Sequence, residues 1–85
     1  MRASGEAAVI GVDLGTSSTK AVLMTADGRS HGEARAEYRM HSPHSGWNEN
    51  DPDDWRAAFV EVVSRLGREA AGLGLSVAGI GLVAQ

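Results

Sequence analysis

The chain has 85 residues, with 8 Lys and Arg against 11 Asp and Glu, a formal net charge of −3 and no cysteine. This acidic balance argues against a nucleic-acid-binding protein, which needs a basic surface, and the lack of cysteine excludes a disulfide framework or a cysteine-based metal site. No apolar run approaches the ~20 residues that span a bilayer, and no signal peptide is recognised. We therefore expect a cytoplasmic protein with no nucleic-acid or membrane partner, in which residues 1–6 are a disordered leader.

The first half of the chain predicts three strands. Apolar runs predict strands over residues 7–13 and 19–25, and an imperfect alternation predicts a more exposed strand over 30–40. The turn at 26–29 contains Asp-Gly, a strong hairpin signal. Tyr38 is expected to pack near the end of the third strand. Together these elements predict an antiparallel meander.

The connection between the first two strands has the chemistry of a phosphate-binding turn. It begins at Asp13 and continues with Gly15 and four hydroxyl residues at 16–19. Backbone N–H groups in such a turn form concave nests that bind anions, and Gly15 permits a positive φ and a close approach of phosphate. Asp13 is an oxygen ligand suited to Mg²⁺. The alternative is an ordinary hairpin, because the same residues are common in turns.

The second half predicts a loop, a helix and a strand. Residues 41–50 predict a loop, since proline, glycine and asparagine interrupt any periodicity. The helix is expected to start with Asp51 as cap and Pro52 at its first position, and to end at Gly72 and Gly74. Its apolar stripe has helical spacing and consists of Trp55, Phe59, Val62, Val63, Leu66, Ala70 and Leu73.

The last predicted strand, residues 76–84, has an unbroken apolar sequence that suits burial on both faces, as in a parallel pairing. A right-handed crossover through the helix would place it parallel to the first strand. The predicted fold is α/β with a mixed sheet and the order β-β-β-α-β. It resembles the first half of a ribonuclease H-like or actin-like ATPase domain. Since those domains continue with further elements, we expect a truncated fold that aggregates or dimerises alone, and a homodimer as the assembly.

Three motifs carry a more specific resemblance. Residues 11–20, Gly-Val-Asp-Leu-Gly-Thr-Ser-Ser-Thr-Lys, resemble the first phosphate motif of the actin-like ATPase superfamily. Residues 45–55, Ser-Gly-Trp-Asn-Glu-Asn-Asp-Pro-Asp-Asp-Trp, resemble a segment of the FGGY carbohydrate kinases, and residues 77–85 resemble the strand leading to that family's sugar-binding turn. The motifs occur in the family's order. Residues 7–85 are therefore similar to the first part of the N-terminal domain of such a kinase.

This resemblance implies ATP and Mg²⁺ as cofactors and a small-molecule sugar or polyol as substrate. Asp13 would hold Mg²⁺, commonly through water, and Gln85 would lie at the sugar site. No residue of this chain is assigned a catalytic role, because the family's catalytic base comes later in the sequence. The 85 residues alone are expected to be inactive. The ATP phosphates would be lined by Gly15, Thr16, Ser17 and Ser18.

Other residues have plainer interpretations. Lys20 matches a Lys or Arg position of the family and could add charge near the phosphates, but a solvated strand end is favoured. Trp47 and Glu49 could line the sugar cleft, although anchoring of the loop is favoured, with Trp47 in an aromatic cluster with Trp55 and Phe59. The histidines are expected to be solvated and not metal ligands; they are His31, His41 and His44.

The substrate and two other functions stay open. Leu14, Ser17 and Lys20 look like xylulokinase-type members, which favours a ketopentose such as xylulose over glycerol, gluconate or another polyol. A chaperone-like or filament-forming ATPase would share the turn but lack the segment at 45–55. A ribonuclease H-like nuclease would need further acids beside Asp13, for which Glu33 and Glu37 are candidates only by proximity in sequence.

Overall fold

The computed structural model describes residues 5–38 and 52–84, which form a sheet of four strands covered on one face by a helix. The sheet has the order β3-β2-β1-β4. β1 pairs with β2 and β2 with β3 in antiparallel fashion, whereas β4 is parallel to β1. The predicted mixed sheet and element order are confirmed. The elements are β1 (Ala7–Leu14), β2 (Ser18–Thr25), β3 (Ser30–Glu37), α1 (Pro52–Leu73) and β4 (Ser76–Ala84).

The core lies between the sheet and α1. Alternate residues of β1 and β2 point to the same face, as the two-residue period of a strand requires. Ile10 lies opposite Leu23 and Val12 lies opposite Ala21 in the β1–β2 ladder. Burial of this one face fixes the register, because a slip by one residue would expose the whole set. The buried apolar residues are Ala8, Ile10, Val12, Ala21, Leu23, Ala34, Ala36, Tyr38, Ala58, Val62, Leu66 and Ala70.

The buried line of α1 repeats every four residues, at Ala58, Val62, Leu66 and Ala70. Trp55 and Leu73 of the predicted stripe do not join this buried line, since they are 41% and 56% exposed. At 3.6 residues per turn both still lie on the apolar side of the helix. They belong to its first turn and its last residue, outside the segment that packs on the sheet. α1 is not apolar enough to cross a membrane.

α1 ends at a glycine in the left-handed conformation. Gly74 has φ +76°, and its N–H donates to the Ala71 carbonyl at 3.1 Å. The N–H of Leu75 donates to the Ala70 carbonyl at 2.8 Å. This pair of bonds is the Schellman motif, and Leu75 packs against the core. Gly74 therefore terminates the helix as predicted, whereas Gly72 lies inside it.

The turn between β2 and β3 is a three-residue hairpin loop with a glycine bulge. The N–H of Gly28 donates to the Thr25 carbonyl at 2.9 Å, and the N–H of Thr25 donates to the Arg29 carbonyl at 3.0 Å. Gly28 has φ +85°, the left-handed position that such loops require. The Asp-Gly signal therefore predicted this turn correctly. β3 ends at Glu37, earlier than predicted.

The apolar strand β4 is exposed, which contradicts the prediction that it is buried on both faces. Val77, Ile80 and Leu82 are 37%, 49% and 57% exposed. β4 lies at the sheet edge beside β1, whereas α1 packs mainly over β3 and β2. The apolar sequence correctly predicted the parallel pairing, but α1 contacts β4 less than any other strand, and the apolar side chains of β4 named above stay exposed.

The predicted leader is described only at its end. The N–H of Ser76 donates to the Glu6 carbonyl at 2.9 Å, and this hydrogen bond connects Glu6 to the start of β4. Residues 1–4 lie outside the described residues, as do the predicted loop at 41–50 and the capping residue Asp51.

Candidate functional site

The β1–β2 turn, residues 15–18, is tight. The N–H of Gly15 donates to the Ser18 carbonyl at 2.9 Å, which closes the turn. Thr16 and Ser17 at its apex are exposed, and Ser18 is half-buried. The turn therefore presents a short exposed stretch of backbone and hydroxyl groups at the end of the sheet where β1 terminates.

Gly15 serves the turn differently from the prediction. Its φ is not positive; among the described glycines only Gly28 and Gly74 have positive φ. A Cβ on Gly15 would lie 3.2 Å from the Ser18 carbonyl oxygen. Glycine permits the close approach of these two backbone segments here and does not adopt a left-handed conformation. Its N–H closes the turn, so that group is not directed outward to an anion.

Asp13 lies two residues before the turn and carries an unusual oxygen. Its side chain is half-buried, and its Oδ1 is buried with no hydrogen-bond partner among the residues that the structure describes. Buried polar atoms are nearly always paired, so each exception calls for an explanation such as an ion. One carboxylate accompanied by water and phosphate oxygens is a common Mg²⁺ environment. The donor set at this position therefore fits a hydrated magnesium ion.

The sheet face opposite α1 brings charged residues beside Asp13. The register places Asp13, Lys20 and Arg35 in one row across β1, β2 and β3. Lys20 is exposed, as expected for a solvated side chain. Arg35 forms an ion pair with Glu37 at 3.7 Å. A concavity of about 940 Å³ adjoins this row and is lined among others by Gly11, Asp13, Lys20, Glu33, Arg35 and, from α1, Arg65.

The carboxylates that a nuclease would need are not brought together. Glu33 and Glu37 lie on β3, and β2 separates them from Asp13. Within residues 5–38 and 52–84 there is no group of three acids or histidines that could hold a metal. The described geometry disfavours the nuclease alternative.

The fourth hydroxyl of the predicted turn, that of Thr19, has another partner. Thr19 is completely buried, and its Oγ1 lies 2.7 Å from the Tyr38 hydroxyl. The N–H of Tyr38 also donates to the Ser17 carbonyl at 3.2 Å. The Thr19 hydroxyl is therefore directed to Tyr38 and not to the exposed surface of the turn. The alternation of residues along the strand indicates that Thr19 faces inward, but its hydrogen bond with Tyr38 was not predicted.

The aromatic and histidine predictions fare unevenly. Trp55 contacts Tyr38, with ring centroids 6.4 Å apart and planes tilted by 57°, and Phe59 is half-buried against the core. His31 is half-buried, with its Nε2 2.9 Å from the Thr25 hydroxyl, so the prediction of a solvated ring is wrong there. The remaining predicted residues lie outside the described residues: His41, His44, Trp47, Glu49 and Gln85.

Known proteins match nearly the whole chain. Residues 8–85 match the model of the FGGY family of carbohydrate kinases, N-terminal domain. A xylulose kinase of Lactococcus lactis is 38% identical over 77 residues, and a glycerol kinase of Methylobacterium nodulans is 38% identical over 78 residues. Both alignments cover 91% of this chain, which spans about 15% of the length of these relatives.

Solved structures agree with the sequence comparison. The crystal structure of a gluconate kinase from Lactobacillus acidophilus superposes with a TM-score of 0.83 and 28% identity, covering 93% of this chain and 15% of the kinase. The similarity extends over the sheet and helix described above, and it confirms the predicted fold class. With the family match over residues 8–85, it follows that this chain belongs to the FGGY family of carbohydrate kinases.

Proposed function

We propose that this chain supplies the ATP-phosphate half of a sugar kinase site, and that the full-length protein transfers the γ-phosphate of ATP to a sugar hydroxyl. The observation that carries the proposal is the buried, unpartnered Oδ1 of Asp13, two residues before a tight hydroxyl-rich turn in a member of a kinase family. An unsatisfied buried acceptor destabilises the fold, and a bound cation would compensate for that cost.

The roles of the chain's residues follow from their positions. Asp13 would hold Mg²⁺ through water, and the exposed apex of the turn would face the β- and γ-phosphates. When bound, Mg²⁺ neutralises negative charge on the transferred phosphoryl group. The turn would orient the phosphates, and positioning together with charge stabilisation makes up most of catalysis in phosphoryl transfer. Gln85 remains the proposed sugar contact, and no residue of this chain is proposed as the catalytic base.

The preferred candidate for the sugar substrate is a ketopentose such as xylulose. It is supported by the xylulokinase-like residues of the turn and by the Lactococcus relative. A glycerol kinase of the same percentage identity and a gluconate kinase among the structural neighbours make glycerol and gluconate the alternatives. A cytoplasmic location and a homodimer are retained as proposals.

A coupled ATPase assay on the full-length protein tests the function. The panel is xylulose and other ketopentoses, glycerol and other polyols, and gluconate and other aldonates, each with and without Mg²⁺. We expect sugar-dependent ADP release with one class and none without the metal. The 85-residue chain, assayed in parallel, is expected to show no sugar-dependent turnover. Absence of turnover with every member of the panel would refute the proposal for the full-length protein.

A further inference from the structure

We propose that Tyr38 is a positioning residue for the β1–β2 turn, holding it in the shape that binds nucleotide phosphates. The inference rests on the proposed function in assigning phosphate to this turn. The geometry points to Tyr38 because it contacts both the apex of the turn and the first buried residue that follows it, although it lies 19 residues after Thr19.

Two hydrogen bonds make the connection. The backbone N–H of Tyr38 donates to the Ser17 carbonyl at 3.2 Å, which extends the β2–β3 ladder beyond its last pair, Ser18 and Glu37. The phenol oxygen of Tyr38 lies 2.7 Å from Oγ1 of Thr19. The turn is thereby held by its neighbouring strand as well as by its own closing bond.

Burial makes the side-chain bond expensive to break. Thr19 is 0% and Tyr38 7% exposed. Removing one partner of a buried hydrogen bond leaves the other unsatisfied, which costs more than the bond itself contributes. The ring also packs at a tilt against Trp55, in the first turn of α1. Tyr38 therefore links the first turn of α1 to the β1–β2 turn.

This arrangement predicts a selective kinetic effect. A turn that already has its bound shape loses less conformational entropy when phosphate binds. Loosening it should therefore raise KM for MgATP. The sugar KM should change little, because both hydrogen bonds of Tyr38 are made to the β1–β2 turn and to the residue that follows it.

The test uses Tyr38→Phe, Thr19→Val and the double variant of the full-length protein. Each single change leaves one buried hydroxyl unpaired, whereas the double change removes both. We expect a rise in KM for MgATP of about three- to tenfold in each single variant. The KM for MgATP of the double variant should lie closer to the wild-type value than that of the worse single variant. The sugar KM should change less than twofold in all three variants.

Thr25→Val is the matched control. Thr25 is also a buried threonine of β2 with a hydrogen-bonded hydroxyl, but it lies six residues from Thr19, about 20 Å along the strand. It should lower thermal stability without changing KM for MgATP. If all variants alter the two KM values alike, or if Tyr38→Phe leaves KM for MgATP unchanged, the positioning role is refuted while the kinase assignment stands.

Amide hydrogen exchange provides a readout that does not depend on turnover. Exchange at the Gly15 amide and at the amide of position 38, which donate to the Ser18 and Ser17 carbonyls, should accelerate in Tyr38→Phe and stay unchanged in Thr25→Val, whether or not the wild-type protein phosphorylates a sugar. Unchanged exchange in Tyr38→Phe would overturn the inference. Loss of the kinase assignment with faster exchange would leave Tyr38 holding a turn of other function, and the phosphate part of the inference would fail.

Discussion

Asp13 lies directly opposite Lys20 in the β1–β2 ladder, yet the buried Oδ1 of Asp13 accepts no hydrogen bond. Lys20 is exposed, so its ammonium group is hydrated and does not satisfy that atom. The structure thus retains an unsatisfied acceptor next to the turn where the proposed phosphates bind. Such local instability is found where function requires it.

We expect Asp13→Asn in the full-length protein to separate activity from stability. Loss of the anionic ligand should lower kcat by about 100-fold or more, the size of effect seen when one preorganised electrostatic group is removed. The melting temperature should stay the same or rise, because the substitution removes a poorly satisfied carboxylate. Steady-state kinetics and thermal unfolding measure the two effects.

Asp27→Asn is the control for this prediction, since Asp27 is an exposed carboxylate at the opposite end of β2. It should leave kcat within about twofold, a size consistent with a surface change away from the site. Wild-type turnover in Asp13→Asn would remove the magnesium role from Asp13.

The tightness of the β1–β2 turn gives a second prediction, for Gly15→Ala. The added Cβ would lie 3.2 Å from the Ser18 carbonyl oxygen, which the turn's own hydrogen bond holds in place. The turn must therefore open by a few tenths of an ångström. We expect KM for MgATP to rise about three- to tenfold, because the opened turn partly loses a binding contribution of about the size of one hydrogen bond.

Gly79→Ala is the comparison for the turn substitution, because a Cβ there meets no atom within 4 Å. It should leave KM for MgATP unchanged. Equal nucleotide affinity in Gly15→Ala and wild type, measured by titration calorimetry, would show that the close approach at Gly15 is irrelevant to phosphate binding.

Local chemistry explains how much of the fold could be predicted. The Asp27-Gly28 pair specifies its turn because only a residue tolerant of positive φ fits the bulge position, and Gly74 specifies the helix end for the same reason. Strand positions followed from apolar runs. These features depend on a few neighbouring residues, so a single sequence contains the necessary information.

The errors concern relationships between distant elements. Burial of Ile80 depends on whether another element covers β4, which the strand's own sequence cannot specify. The hydrogen bond between Thr19 and Tyr38 depends on the register of β2 with β3 and on the position of the Tyr38 ring in the folded chain. Within the candidate site, the turn between β1 and β2 was predictable, whereas the contact of Tyr38 with it required the tertiary structure.

The end of α1 gives a third prediction, in which two neighbouring glycines respond with opposite signs. Gly74→Ala forces a Cβ into the left-handed region at φ +76° and should destabilise the fold by about 1–2 kcal/mol. Gly72→Ala lies in the helix with no atom within 4 Å of the added Cβ and should stabilise it by about 0.4–1 kcal/mol.

Urea unfolding, with amide exchange in α1 as a local probe, measures both glycine variants. The two proteins differ only in where one methyl group is added, so they control for each other. Destabilisation by both would mean that Gly72 is needed for contact with a segment outside the described residues. Stabilisation by both would contradict the Schellman termination at Gly74.

The turn between β2 and β3 should respond to acid. The Thr25 hydroxyl, which donates to Asp27 at 2.6 Å, is the main reason that the pKa of Asp27 lies below its ordinary value of 3.8; the Arg29 N–H and the charge of His31 act in the same direction. Because the folded pKa is lower than the unfolded one, the carboxylate's contribution is fully present above pH 3.8 and disappears as pH falls through the folded pKa.

Thr25→Val removes the largest cause of this shift and should move the pKa of Asp27 upward, toward 3.8. Carboxyl-carbon NMR titration measures the change, and the Gly28 amide reports whether the turn keeps its shape. His31→Gln, by comparison, removes only the smaller charge effect and should move the pKa less. A larger upward shift in His31→Gln than in Thr25→Val would show that charge, and not the threonine hydroxyl, stabilises the Asp27 carboxylate.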